Sequence, residues 1–135
     1  ADLAKKFYME SGYSETEALE HMDGTDFTKS VKIREFEPGK AVFAQYQRLD
    51  RKTNSVLVQG SYYSDKSGSI YRLGINPEEY YAKVLYTNKE KIRVLESTTR
   101  DYPKFAPNAL GGDVQYFSSN KKQFKKMKVE WIRND

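Results

Sequence analysis

The chain has no cysteine and only one histidine, His21, in 135 residues. The first absence excludes disulfides and thiolate metal ligands. The second leaves too few imidazoles for a zinc site or a histidine-based catalytic triad, so no metal centre is expected. No apolar run approaches the roughly 18 residues that a membrane-spanning helix needs. The opening Ala1-Asp2-Leu3-Ala4-Lys5-Lys6 also lacks the apolar core of a signal peptide, and none is expected. Any chemistry here has to run on Glu, Asp, Gln, Tyr, Ser, Thr, Arg and Lys.

What the chain does have is tyrosine. Aromatics make up 14% of the residues, eleven of them Tyr, an amphipathic ring that lines a cleft as readily as a core. The length suits one domain with a real core and leaves no room for two. The net charge of +4 is unevenly spread. Between 119 and 133, six basic side chains (Lys121, Lys122, Lys125, Lys126, Lys128, Arg133) face one acidic residue, Glu130. Such a stretch suits a phosphate-bearing or acidic partner, or is simply a solvated lysine surface.

Two short helices open the chain. Asp2 caps Leu3 to Met9, with Leu3, Phe7 and Tyr8 near one face, and Gly12 breaks the run. Ser14-Glu15-Thr16-Glu17 has the capping-box pattern and starts a second helix ending near Met22, with Ala18, Leu19 and Met22 inward and His21 beside them. From Val31 the period becomes two. Val31, Ile33 and Phe36 lead through the Glu37-Pro38-Gly39-Lys40 turn to a strand over 41–48, and a third strand is expected over Val56–Tyr63, with Gly60 marking a bulge. Asn76-Pro77-Glu78-Glu79 reads as a helix start, predicting a helix to about Leu85. Strands follow over 91–97, after Gly111-Gly112, and over 129–132, while Lys122 to Met127 stays open between helix and loop. Helices first, then mostly strands, predict an α+β fold: a helical hairpin over 1–24 and a β-rich core over 30–135.

Gly111-Gly112-Asp113-Val114-Gln115-Tyr116-Phe117 organises the rest. A strand opening out of a diglycine turn can aim one polar side chain into a cleft, and Gln115 is poorly suited to a core unless its amide is fully bonded. The alternative is an ordinary turn with Gln115 on a solvated face. Phe43-Ala44-Gln45-Tyr46, Gly60-Ser61-Tyr62-Tyr63-Ser64 and Ser97-Thr98-Thr99 likewise set polar or aromatic groups at strand ends.

In order and spacing, these stretches resemble the toxin domains at the C-termini of bacterial polymorphic toxins, specifically the type 46 family. The resemblance extends to Lys6-Phe7-Tyr8-Met9-Glu10-Ser11-Gly12, Ser14-Glu15, Pro38-Gly39-Lys40, Leu73-Gly74-Ile75 and Leu95-Glu96-Ser97-Thr98. It implies a split antiparallel β-sheet clamp of the ADP-ribosyltransferase type that grips NAD. On that implication Gln45 takes the place at the adenosine and phosphate end. Tyr62 or Tyr63 stacks on nicotinamide, with Tyr63 favoured because it adjoins the loop. Ser97 and Thr98 brace the pocket, and Gln115 takes the catalytic place. Gln45 stands where Arg or His is usual, which shifts phosphate neutralisation to Arg48, Arg51 or Arg72. Gln115 stands where Glu is usual. The resemblance also implies a cognate immunity protein and a secreted or contact-delivered effector acting in the cytoplasm of a target cell.

Breaking the nicotinamide–ribose bond builds positive charge on the ribose carbon. An amide carbonyl can accept a ribose hydroxyl, and its dipole favours that charge, but an amide cannot take a proton. Bond cleavage is therefore within reach of Gln115, whereas activating a poor nucleophile needs another group, such as Glu96 or Asp113, unless those carboxylates only make surface or turn contacts. The expected activity is ADP-ribose transfer from NAD to a structured RNA or a translation-related protein. An NAD glycohydrolase is the alternative, and a basic RNA-binding or RNase module the third reading.

Overall fold

The computed structural model describes residues 1–104 and 106–132 and is α+β. Arg133, counted above in the basic stretch, lies outside the described residues. Helix α1 spans Asp2–Glu10 and α2 spans Glu15–Met22. The second is started by the reciprocal cap read from sequence: the Glu17 amide donates to Ser14 Oγ at 3.1 Å, and the Ser14 amide donates to Glu17 Oε1 at 2.8 Å. Seven strands follow: β1 Lys32–Phe36, β2 Val42–Gln47, β3 Tyr62–Asp65, β4 Ala82–Asn88, β5 Ile92–Thr98, β6 Val114–Phe117 and β7 Phe124–Trp131. They form one antiparallel sheet in the order β1-β5-β6-β3-β2-β4-β7.

Strand β3 is where this sheet divides. Tyr62 and Tyr63 pair with Phe117 and Tyr116 of β6, whereas Ser64 and Asp65 pair with Ala44 and Phe43 of β2. Continuing the first register would set Ser64 against Gln115. Instead β3 leaves β6 after Tyr63, and Gln115 keeps a ladder neighbour only on the β5 side, at Ser97. Three strands (β1, β5, β6) thus lie on one side of the seam and three (β2, β4, β7) on the other.

Alternation along the strands sends side chains to two cores. Tyr63, Tyr116, Phe43, Val84, Tyr86, Val94 and Phe124 pack into one. Phe117 and Leu95, on the other face, pack with Ala4, Phe7, Tyr8 and Ala18 of the helical hairpin. Tyr62 and Gln115 share that helix-facing side, because each lies an even number of positions from a residue opposite or equal to Phe117.

Five expectations are corrected. Asp2 is the first residue of α1 and not its cap, with Ala1 at the N-cap and no side-chain cap bond, and Leu19 of α2 is exposed where an inward residue was expected. The helix expected from Asn76 to Leu85 is a single 3-10 turn, Pro77–Glu79, capped by Asn76 Oδ1. It yields to strand β4 because Ala82, Val84, Tyr86 and Asn88 alternate inward and are all buried, a pattern a helix would scatter around its surface. The third strand begins at Tyr62 rather than Val56. Leu57 makes only an isolated bridge to Leu49, and Val56 and Val58 are exposed. The stretch left open at Lys122–Met127 is a 3-10 turn, Lys121–Gln123, running into β7, which starts at Phe124 rather than Val129.

Candidate functional site

The division of the sheet opens a pocket of about 450 Å³, bounded by β2, β3, the start of β6, the end of α2 and the loops around Leu73 and Arg100. That volume falls in the range of small-molecule sites.

Gln115 lies at its wall and is itself 9% exposed. Its Nε2 donates to Ser97 Oγ at 3.2 Å. Among the described residues Oε1 has no hydrogen-bond partner, and it is not sealed from solvent. A buried side chain with one polar end anchored and the other free toward a cavity is the arrangement that a ligand-facing amide requires. Ser97 is buried behind Gln115 and does not line the pocket. Thr98 is half-buried, also off the pocket, and its carbonyl accepts the Asp26 amide at 2.8 Å.

Gln45 lines the same pocket from β2 and is almost fully engaged. Its Nε2 donates to the Tyr62 carbonyl at 2.7 Å. Its Oε1 accepts the Gly60 amide at 2.9 Å and Gln47 Nε2 at 2.8 Å. Gln47 also donates to the Tyr86 hydroxyl at 2.7 Å. The Gln45 amide thus pins the Gly60–Tyr62 backbone, so that the entry into β3 is held from β2.

Tyr62 and Tyr63 both border the pocket, with their rings pointing to opposite cores. Tyr63 is 2% exposed, stacks on Phe124 at 4.0 Å between centroids, and accepts Gln59 Nε2 at its hydroxyl. Burial raises its phenol well above the ordinary range. Tyr62 packs on Phe117 and stacks on His21, and its hydroxyl donates to that of Tyr8 at 2.9 Å. Burial raises the Tyr62 phenol too, and pushes that of Tyr8 up to about 12. All three stay protonated donors across the working pH range.

The expected arginines separate. Arg48 lines the pocket, with only a long 4.0 Å contact to Glu79. Arg72 lies outside it, against Gly112, and Arg51 sits in an exposed turn. The cation the sequence reading missed is Arg100, which lines the pocket just past β5 and is held by Asp23 Oδ1 at 3.1 Å. Tyr80 and Tyr102 are further aromatic walls not singled out from sequence. Of the two candidate carboxylates, Glu96 is taken by Arg34 at 2.7 Å and Lys32 at 3.5 Å on the β1 side. Asp113, two residues before Gln115, accepts the Ser69 amide at 2.7 Å through Oδ2 and leaves Oδ1 without a partner among the described residues.

A helix-backed antiparallel sheet split along one shared strand, with an amide-lined pocket in the split, defines a small α+β clamp domain. The chain belongs to the Bacterial toxin 46 family, whose model matches residues 1–124. It is similar to the solved Tse6, in a structure of Tse6 in complex with Tsi6, at 26% identity and a TM-score of 0.76, covering 93% of this chain and 91% of that one. The fold is also seen in Rhs1-CT in complex with cognate immunity protein RhsI1, at 15% identity and a TM-score of 0.53, covering 77% and 83% of the two chains. No curated protein sequence matches. The protein is a bacterial toxin domain, and no helix among the described residues is long and apolar enough to cross a membrane.

Proposed function

We propose that this toxin cleaves the nicotinamide–ribose bond of NAD in a clamp of the ADP-ribosyltransferase type. The observation that carries the reading is Gln115 at the seam, anchored through Nε2 and free at Oε1. As the bond breaks, that carbonyl accepts a ribose hydroxyl and sets its negative end toward the cationic sugar. One such contact in a water-poor site is worth roughly 1–3 kcal/mol. Arg48 and Arg100 supply positive charge for the pyrophosphate, and the tyrosine walls supply flat faces for the two bases.

Water is the acceptor that asks least of this site. Glu20 is the one carboxylate lining the pocket among the described residues, and Glu96 is locked into ion pairs. Asp113 keeps Oδ1 free but lies outside the pocket lining, which leaves Glu20 as the carboxylate positioned to polarise a water. Hydrolysis of NAD is therefore the first reading. Transfer of ADP-ribose to a structured RNA or a translation-related protein is the second, favoured by the lysines of β7, which form an exposed basic edge at Lys125, Lys126 and Lys128. The protein would act in the cytoplasm of a target cell after delivery. It would be neutralised by a cognate immunity protein, as the Rhs1-CT complex suggests by likeness of fold.

The deciding experiment incubates the purified domain with NAD carrying label in the adenylate half, alone and with a bacterial lysate. Rapid nicotinamide release with NAD alone supports hydrolysis. Slow release that accelerates with lysate, with label on RNA or protein, supports transfer. Intact NAD under both conditions sinks the reading, and RNA cleavage without NAD would replace it with the nuclease alternative.

A further inference from the structure

His21 has had no part in the site so far, yet it lines the same pocket and is the chain's one imidazole. It is carried at the end of α2 on the helix-facing side of the sheet, the side to which Tyr62 and Gln115 also point. Its ring is fixed by packing. Tyr13 lies 4.4 Å away, Tyr8 5.2 Å, Tyr62 5.8 Å and Phe117 6.0 Å between centroids. Its Nδ1 is 2.6 Å from the Tyr62 hydroxyl.

That hydroxyl points to one tautomer. With Tyr62 donating to the Tyr8 oxygen at 2.9 Å, its own oxygen is left to accept, and the donor facing it is Nδ1–H of His21. A neutral imidazole protonated at Nδ1 carries its lone pair on Nε2. Among the described residues Nε2 has no hydrogen-bond partner, and it is not sealed from solvent. A rigid ring with one nitrogen spoken for and the other open is pre-organised to accept a hydrogen bond at the pocket wall.

We propose that His21 is a substrate-contacting residue of this site, presenting Nε2 as an acceptor to an O–H or N–H group of the bound nucleotide. This rests on the NAD reading above. Burial holds the imidazole below its usual pKa, so the neutral acceptor form prevails at pH 7 despite Glu17 and Glu20 nearby. The contact complements Gln115: two acceptors from different elements, α2 and β6, face the same bound molecule.

Two measurements test it. In His21→Asn the amide nitrogen takes the place of Nδ1 and keeps the donor to Tyr62, while Nε2 is lost. The variant should melt near wild type and show about a tenfold rise in KM for NAD. Wild-type kinetics in the Asn variant would mean that His21 only staples Tyr62, and would overturn the proposal. Independently of any variant, the single histidine gives one set of imidazole nitrogen resonances in the labelled wild-type domain. These should report a protonated Nδ1 and a bare Nε2, and the Nε2 signal should move on saturation with carba-NAD, an analogue that resists cleavage. The opposite tautomer, or an Nε2 unmoved by bound carba-NAD, overturns the contact while leaving NAD cleavage intact. Failure of wild type to bind carba-NAD or cleave NAD overturns the proposed function itself, and the contact with it.

Discussion

Replacing Gln45 by Leu separates two roles that the sequence could not. As a nucleotide contact, Gln45 would affect KM and little else. As the latch between β2 and the entry to β3, it would affect stability. Gln45→Leu keeps the volume and deletes three hydrogen bonds, to the Tyr62 carbonyl, the Gly60 amide and Gln47 Nε2. Gln47 retains the Tyr86 hydroxyl, and Gly60 lies in an exposed stretch where water can replace the lost acceptor. The Tyr62 carbonyl is left part-buried and unpaired. At ~1–3 kcal/mol for an orphaned buried group, plus a smaller loss at the other two, the total is about 2–4 kcal/mol. For a chain of this length that is a fall in Tm of about 7–14 °C. The assay is thermal melting followed by circular dichroism, with hydrogen exchange at the Gly60 amide, which should lose its protection. A melting point within about 2 °C of wild type, together with a raised KM, would refute the latch.

Gln115→Leu should fold normally, losing only the 3.2 Å bond to Ser97, yet slow nicotinamide release by roughly 5–150-fold; unchanged release would remove Gln115 from the site. Gly111→Ala should destabilise the domain by about 1–3 kcal/mol and weaken NAD binding, because an added Cβ would stand 2.3 Å from the Arg100 carbonyl carbon and 2.5 Å from its Cα. A neutral outcome in melting and titration would show that the Arg100 loop moves freely. The His21 pKa is depressed in the folded state, so the unfolded chain binds more protons below the ordinary value of 6.5, and stability should fall as pH drops through that region. Urea titrations of wild type and His21→Asn between pH 7.5 and pH 5 should differ in slope (the carboxylates Glu17, Asp23 and Asp26, held low by local bonds, titrate further down); parallel profiles would contradict this.

The parts of the fold legible in sequence are those whose signal is local. The Ser14 and Glu17 pair is a four-residue code, and the structure closes both of its bonds. Strand β5 follows its alternation, and β1, β2 and β6 lie where the Pro38-Gly39 and Gly111-Gly112 turns beside them lead. The Asn76-Pro77 start is equally local and equally real, but it says how a turn begins and not how long it runs. Tyr80, Tyr81, Val84 and Tyr86 favour strand, and pairing with β2 and β7 decides the matter. At β3 the run from Val56 to Tyr63 looks uniform in composition. Only the partners, β6 for Tyr62 and Tyr63 and then β2 for Ser64 and Asp65, fix where a ladder can exist. Arg100 and His21 were illegible as site residues for the same reason: nothing within ten positions of either says that the end of α2 and the end of β5 meet.

The shared strand explains why the polar residues lie where they do. A seven-strand sheet without a break would pair Gln115 on both sides, and its amide would be an awkward core group to be replaced by Val or Thr. Because β3 crosses from β6 to β2 after two residues, the neighbour of Gln115 on that side is a cavity, and an amide there costs little, since water or a ligand can reach Oε1. The same crossing leaves the approach to β3 outside any strand from Val58 to Ser61, tied by backbone only at its ends, Val58 to Arg48 and Ser61 to Ser118, and Gln45 bridges the middle with its amide in place of a strand. One glutamine therefore repairs the backbone that the split exposes, and the other faces the space that the split creates. The first must be satisfied within the chain for the pocket to exist, and the second must be left unsatisfied for the pocket to act.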